Sequence, residues 1–348
     1  ILGINAYHGD SSAAMVVDGE LVAAVEEERF RRIKHWAGVP LESVQYCLES
    51  AGITLAELDV IAINQDSQAN LLQKLKFTLG KRPDLSYIVD KVKNRRKRVA
   101  IDSILASELA SPFLGEVVSV EHHLAHLSSA FHVSPFDQAV VVSVDGFGDF
   151  ASTAWGVGKG VDIQMDEKIY FPHSLGIFYQ ALTQHLGFTQ YGDEYKVMGL
   201  APYGKPSYLA HMQQLVQLRS DGGFNLDLDY FRHHKENIAY EWQDGSPTFG
   251  DIYSAKLCDL LGPARQPGEI LDQRHFDIAH SIQAMYEEAF FHLLNTIQEK
   301  YGLQELALSG GCAMNSVANG KIYRNTRFKK VYIQSAAGDA GGAIGAAV

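Results

Sequence analysis

The chain has 348 residues, 46% of them hydrophobic and 20% charged, which supplies enough apolar material for two well-buried lobes. A net charge of -11 argues against a large nucleic-acid footprint, because phosphate binding needs a basic face, and the one basic run, Lys91 to Arg98, reads as a solvated helix face. The three cysteines, Cys47, Cys258 and Cys312, are far apart and form no C-x-x-C pair, which speaks against a disulfide framework or a cysteine zinc site.

In chain order, Ile1 to Tyr7 reads as a short apolar strand, His8-Gly9-Asp10-Ser11-Ser12 as a polar turn, and Ala13 to Val17 as a second strand. Asp18-Gly19 is a hairpin signal and leads to a third strand, Glu20 to Val25. After the charged run Glu26 to His35, Leu41 to Ala51 has helical spacing. Val60 to Asn64 is the next strand, and the polar, helical stretch at about 65 to 115 reads as an insertion. Val117 to Val120 then delivers the chain to Glu121-His122-His123-Leu124-Ala125-His126. No apolar run is long enough to span a bilayer and no charged-then-apolar leader is present, so the expected location is cytoplasmic with no membrane partner.

His122 and His126 are four residues apart and share one helical face, where two imidazoles can meet a single metal ion. A bare pair at this spacing also occurs simply lining a helix. What favours a metal is the buried strand Ala139 to Val144, which ends on Asp145 and aims a carboxylate at a cleft. From there the opening order of elements recurs: a turn Asp145-Gly146-Phe147-Gly148-Asp149, a strand Ala151 to Val157, Gly158-Lys159-Gly160, and β-like sequence towards Phe171. Ser174-Leu175-Gly176 starts a helix. Asp193 to Gly204 is expected to be a loop because of its Gly and Pro residues, and the segment at about 220 to 274 a second insertion. Phe276 to Lys300 has a helical stripe of Ile278, Ile282, Met285, Ala289 and Leu293. Leu306 to Asn315 is a strand, a Gly310-Gly311 turn and a helix start, which suits close backbone approach to a nucleotide. Lys330 to Gln334 is the last strand and Ala337 to Ala343 opens a small-residue helix. The expected organisation is a first lobe over 1–138 and a second over 139–348.

Two such lobes facing a cleft resemble the α/β fold of actin, sugar kinases and heat-shock chaperones, a two-lobed, ribonuclease H-like ATP-binding fold. Longer strings narrow the resemblance: Glu26 to Phe30 with Lys34-His35, His122 with His126, Ser174-Leu175-Gly176, Glu194 to Gly204, and Ser309 to Asn315. In this combination the chain resembles the N-terminal domain of the O-carbamoyltransferases of the NodU and CmcH type, a family that includes antibiotic-tailoring enzymes.

The resemblance implies that a C-terminal YrdC-like domain, outside this chain, makes carbamoyladenylate from carbamoyl phosphate and ATP. The domain in hand would then transfer the carbamoyl group to a hydroxyl of a small-molecule acceptor. It implies iron(II) held by His122, His126, Asp145 and Asp339, and imidazole with carboxylate also suits manganese or zinc. Asp339 alone reads equally well as a helix cap. His8 is the implied general base, with Asp10 as an acceptor contact. Lys34, and with less support Lys196, would meet the adenylate phosphate, Gly146, Gly148 and Gly176 the phosphate or carbamoyl oxygens, and Gly310, Gly311 and Asn315 the adenosine. Two other readings stand beside it: a tRNA threonylcarbamoyl-transferring enzyme, and a nucleotide-binding regulator without transfer chemistry.

Overall fold

Two five-stranded mixed sheets with one and the same strand order organise the chain. The computed structural model describes residues 1–81, 101–236, 238, 240–243 and 245–348. In the first sheet β1 (Leu2–Asn5), β2 (Ser12–Val17) and β3 (Glu20–Glu26) form an antiparallel meander, and β4 (Val60–Ile63) and β5 (Glu116–Ser119) extend β1 in parallel. In the second, β6 (Gln138–Gly148), β7 (Ala151–Lys159) and β8 (Asp162–Tyr170) repeat the meander. There β13 (Glu305–Ser309) and β14 (Lys330–Ile333) take the parallel positions. The central strands are apolar on both faces because helices cover both, as parallel pairing demands, whereas every residue of the edge strand β5 is exposed. This doubled α/β unit is the two-lobed layout expected from the order of elements.

Helix α1 (Leu41–Ala51) buries Val44, Cys47 and Leu48 on the first sheet and ends on Gly52. Within the first insertion lie α2 (Leu71–Lys81) and α3 (Ile101–Glu108); the basic run Lys91 to Arg98 lies outside the described residues. The histidine helix α4 (His122–Phe131) packs on β6 and β13. On the second lobe follow α5 (Leu175–His185), α6 (Glu194–Leu200) and α7 (Leu209–Leu215). After them come the small hairpins β9 (Val216–Leu218) with β10 (Phe224–Leu226) and β11 (Tyr240–Gln243) with β12 (Ser246–Phe249), and α8 (Ala255–Leu261). The long α9 (Gln273–Tyr301) buries its predicted stripe.

The last helix, α10 (Asp339–Ala347), packs on β1, β2 and β4 of the first sheet and on α4, so α4 and α10 lie between the two sheets. Their backbones touch: a Cβ on Gly345 would sit 1.7 Å from the Ala125 carbonyl oxygen, which only glycine avoids. Among the described residues no helix is long and apolar enough to cross a membrane.

Two local expectations change. Residues 193–204 are not a loop but helix α6 followed by a 3-10 turn, Ala201–Tyr203. Pro202 falls in the first turn of that 3-10 segment, where its missing N–H costs nothing, and Gly199 faces open space. The Asp145–Asp149 turn is largely strand: β6 runs to Gly148 with a register break after Val144, and only Asp149 and Phe150 turn. Within the 220–274 segment, read as an insertion, Phe224, Phe231, Ile252, Leu257 and Leu261 join the main core of the second lobe.

Candidate metal centre

Four side chains converge where α4, the register break of β6 and the start of α10 meet. His122 and His126 are each 1% exposed. His122 Nε2 lies 3.1 Å from Asp145 Oδ2 and 3.6 Å from Asp339 Oδ1, and His126 Nε2 lies 3.7 and 3.4 Å from the same two oxygens. One ligand atom from each of the four falls within 4.8 Å of all the others. The helical spacing puts both imidazoles on one face, and the irregularity of β6 turns Asp145 towards them. Gly148 makes room, since a Cβ there would lie 1.9 Å from the His122 ring.

Each carboxylate spends its second oxygen elsewhere. Asp145 Oδ1 accepts the Gly311 N–H at 2.8 Å, and Asp339 Oδ2 lies 3.0 Å from His8 Nδ1. Among the described residues, neither ring nitrogen of His126 and neither His122 Nδ1 nor Asp339 Oδ1 has a hydrogen-bond partner. Buried polar atoms without partners are costly, and two imidazoles with two carboxylates are a donor set that a divalent transition metal fits. His123, on the same helix, is different: its Nδ1 is bonded to Ser143 Oγ at 2.7 Å, and burial pushes it down to about 4, a neutral structural histidine.

The charges of the cluster are interlocked. Burial works against protonating His122, but Asp145 and Asp339 beside it raise its pKa overall. For His126 the same two carboxylates outweigh burial and push it up to about 10. Burial alone would raise Asp145, yet His122 and His126 hold it well below the usual carboxylate range. Asp339 is lowered likewise, with His126 and His8 outweighing burial and the Asp145 charge. Each carboxylate and imidazole of the cluster thus favours the charged form of the others, and a cation would compete with protons for the same atoms.

The whole chain, residues 1–348, matches the family model described as carbamoyltransferase N-terminus. The chain belongs to this carbamoyltransferase family. An uncharacterized protein of Synechocystis is 42% identical over 100% of this chain and 56% of its own length. The nodulation protein NolNO of Sinorhizobium fredii is 35% identical over 99% of this chain and 46% of its own length. The chain thus spans about half the length of these curated relatives. Among solved structures, HypF of T. kodakarensis aligns at a TM-score of 0.44 and 17% identity, covering 99% of this chain and 46% of that one.

On this carbamoyltransferase domain the remaining residues singled out in the sequence fall in three places. His8 adjoins the cluster through Asp339, its ring centroid 5.9 Å from that of His122. Around Asp145, the Gly311 N–H is bonded to the carboxylate, Gly310 is held at φ +89, a Cβ on Gly176 would meet the Asp145–Gly146 backbone at 2.9 Å, and Gly146 faces open space. Ser174 Oγ caps α5 by accepting the Ile177 N–H and donates to the Asp145 carbonyl oxygen. Asn315 is further out, its amide exchanging hydrogen bonds with Gln283 at 2.9 and 3.0 Å while capping a one-turn helix at the Ala318 N–H.

The other predicted side chains are already engaged or exposed. Asp10 is paired with His35 Nδ1 at 2.7 Å, and that hydrogen bond, partly opposed by burial, raises the His35 pKa. Lys196 is paired with Asp193 at 2.6 Å and lies over the Phe188 and Tyr195 rings. Lys34 is exposed. Sequence reasoning assigned nothing to His35, Asp149 or Glu27. Glu27 is fully buried and accepts the Ser43 and Glu42 N–H groups at the start of α1. Its position in a run of three glutamates carries no signal that would single it out.

Proposed function

We propose that this domain moves the carbamoyl group of carbamoyladenylate to a hydroxyl of a small-molecule acceptor, with His122, His126, Asp145 and Asp339 as the ligands of a divalent metal, iron(II) in this reading. The family match supports carbamoyl transfer, and the observation that carries the mechanism is the double use of Asp339, one oxygen in the four-residue cluster and the other on His8. The chemistry such an ion supplies when bound is polarisation of a carbamoyl or phosphoryl oxygen.

With Nδ1–H donating to Asp339, His8 presents Nε2 as a free acceptor for a proton. The acceptor hydroxyl gives its proton to Nε2 as its oxygen bonds to the carbamoyl carbon. The bond from that carbon to the phosphate oxygen breaks, releasing AMP and leaving the carbamate ester. Asp339 fixes the ring and stabilises the imidazolium that forms. The Gly310-Gly311 turn, Gly176 at the start of α5, and Gly146 and Gly148 supply backbone close to the nucleotide, and the family resemblance makes Lys34 and Lys196 the candidates for its phosphate. The YrdC-like domain that makes the adenylate belongs to the longer protein. Three free cysteines fit a cytoplasmic setting.

The test begins with metal content after anaerobic purification, comparing the parent with a His122→Ala, His126→Ala double variant. One transition metal per chain, lost in the variant, supports the reading. Supplied with carbamoyladenylate and a panel of hydroxylated acceptors, His8→Gln should then lose about 10²- to 10⁴-fold in transfer rate while keeping its metal. If neither protein holds a transition metal with iron supplied, the metal-assisted reading fails and a nucleotide-binding regulator takes its place.

A further inference from the structure

The turn joining β6 to β7 consists of Asp149 and Phe150, both at left-handed φ values of 45 and 73, where glycine or asparagine is the easy choice. Asp149 nonetheless makes three contacts there. Its Oδ2 accepts the N–H of His122 at 2.9 Å and the N–H of Asp66 at 2.7 Å, and its backbone carbonyl accepts Asn70 Nδ2 at 2.8 Å. The first amide belongs to a metal-ligand candidate, and the other two donors belong to the first lobe, just before α2.

Among the described residues no other carboxylate is bonded to that amide. Glu121 caps α4 but is committed to the Leu124 N–H and, at 2.8 Å, to Lys168. An unpaired N–H at a buried helix start is costly, so the position of His122 depends on a residue from the neighbouring hairpin. The hairpin tip is anchored on the first-lobe side as well: Phe77 of α2 packs its ring against Phe150 at 5.7 Å and against Phe171 at 4.9 Å. Burial raises the Asp149 pKa, with the His122 charge and the two N–H donors opposing it, which fits a carboxylate sunk into an interface.

We propose that Asp149 is a positioning residue whose single carboxylate oxygen locks the first amide of the histidine helix to residues 66–70 of the first lobe. The set of the metal ligands and the placement of the first insertion are then coupled. This rests on the metal reading above for its functional consequence, though not for the lock itself.

The experiment is a cobalt(II) titration of the metal-free protein, read by the ligand-field absorption of the ion, together with amide exchange at His122 and Asp66. Asp149→Ala should weaken cobalt binding about 10- to 100-fold, shift the absorption bands, and speed exchange at both amides together. Asp149→Asn, whose amide oxygen can still accept both N–H groups, should stay within a few-fold of the parent with its spectrum kept. A folded Asp149→Ala protein with parental affinity and spectrum overturns the proposal, and so does loss of protection at Asp66 alone. If the alanine variant does not fold, Asp149→Glu decides: its carboxylate sits one methylene further out and must shift the spectrum, and an unchanged spectrum overturns the lock. Should the parent bind no cobalt, the metal reading fails, and exchange in the Asp149 variants decides the lock by whether the two amides are released together or separately.

Discussion

The connection between β1 and β2 and the connection between β6 and β7 occupy the same place in two sheets of identical strand order, yet they are built on opposite principles. The first is a six-residue loop held by a neutral side chain: Asn5, fully buried at the end of β1, donates to the Gly9 and Asp10 carbonyl oxygens at 3.1 and 3.0 Å. The second is a two-residue turn preceded by a break in register, and its polar anchors, Asp145 and Asp149, are carboxylates. A neutral amide braces the loop backbone whatever the pH, while the His8 ring takes its own hold on Asp339. Carboxylates brace a turn and create an electrostatic site at the same time. One repeated topology thus places His8 on one lobe and the Asp145 and Asp149 carboxylates on the other.

The comparison predicts that pH acts mainly on the second connection. On the proposed metal reading, metal and proton compete for His126, whose pKa is pushed up to about 10, so affinity should rise with pH below that value by about tenfold per unit. Between about pH 6 and 8 that is on the order of 100-fold, measurable by competition with a metal-sensitive dye. A slope of zero would mean that the imidazoles are not ligands.

Next in size are the two changes that strike each connection once. Gly148→Ala drives a methyl into the His122 ring and should cost about 1–3 kcal/mol in urea unfolding while also weakening metal binding. Asn5→Ala strands two carbonyl oxygens and should cost about 1–3 kcal/mol with metal affinity unchanged. If Asn5→Ala weakened metal binding as much as Gly148→Ala, the division of labour between the two connections would be lost.

The smallest effect belongs to the Asp10–His35 pair, which is partly exposed and worth about 0.2–1 kcal/mol. Because Asp10 raises the folded pKa of His35, this contribution is complete below the ordinary histidine value of about 6.5 and disappears as pH rises through the raised one. Unfolding of the parent and of Asp10→Asn should therefore differ at about pH 5.5 and converge at alkaline pH.

Much of this was legible in the sequence because the signals are local. Asp18-Gly19 marked the first hairpin, the stripe from Ile278 to Leu293 marked the long helix, and the i,i+4 spacing of His122 and His126 fixed their common face. What escaped is non-local or depends on tertiary packing. Asp10 and His35 are 25 positions apart, and both adopt left-handed backbone that no pattern announces. The bond of the Asn315 amide to Gln283 joins positions 32 apart on different helices. The Gly and Pro residues of 193–204 read as breakers, whereas packing of α6 against α9 overrides propensity there. Asp149 ended a glycine-rich string and read as turn punctuation, since its partners sit 27 and 83 positions away.

The seat of α10 has a consequence for how this chain acquires its structure. Ser12 on β2 donates its hydroxyl to the carbonyl of Ala340 at 2.8 Å, across 328 positions of sequence. The earlier-made of the two sheets is therefore covered on one face by a helix made more than three hundred residues later. Contacts of such separation are slow to form, since a long loop must close before they stabilise anything. During synthesis the face of β1 and β2 that α10 covers stays uncovered by it until that helix is made.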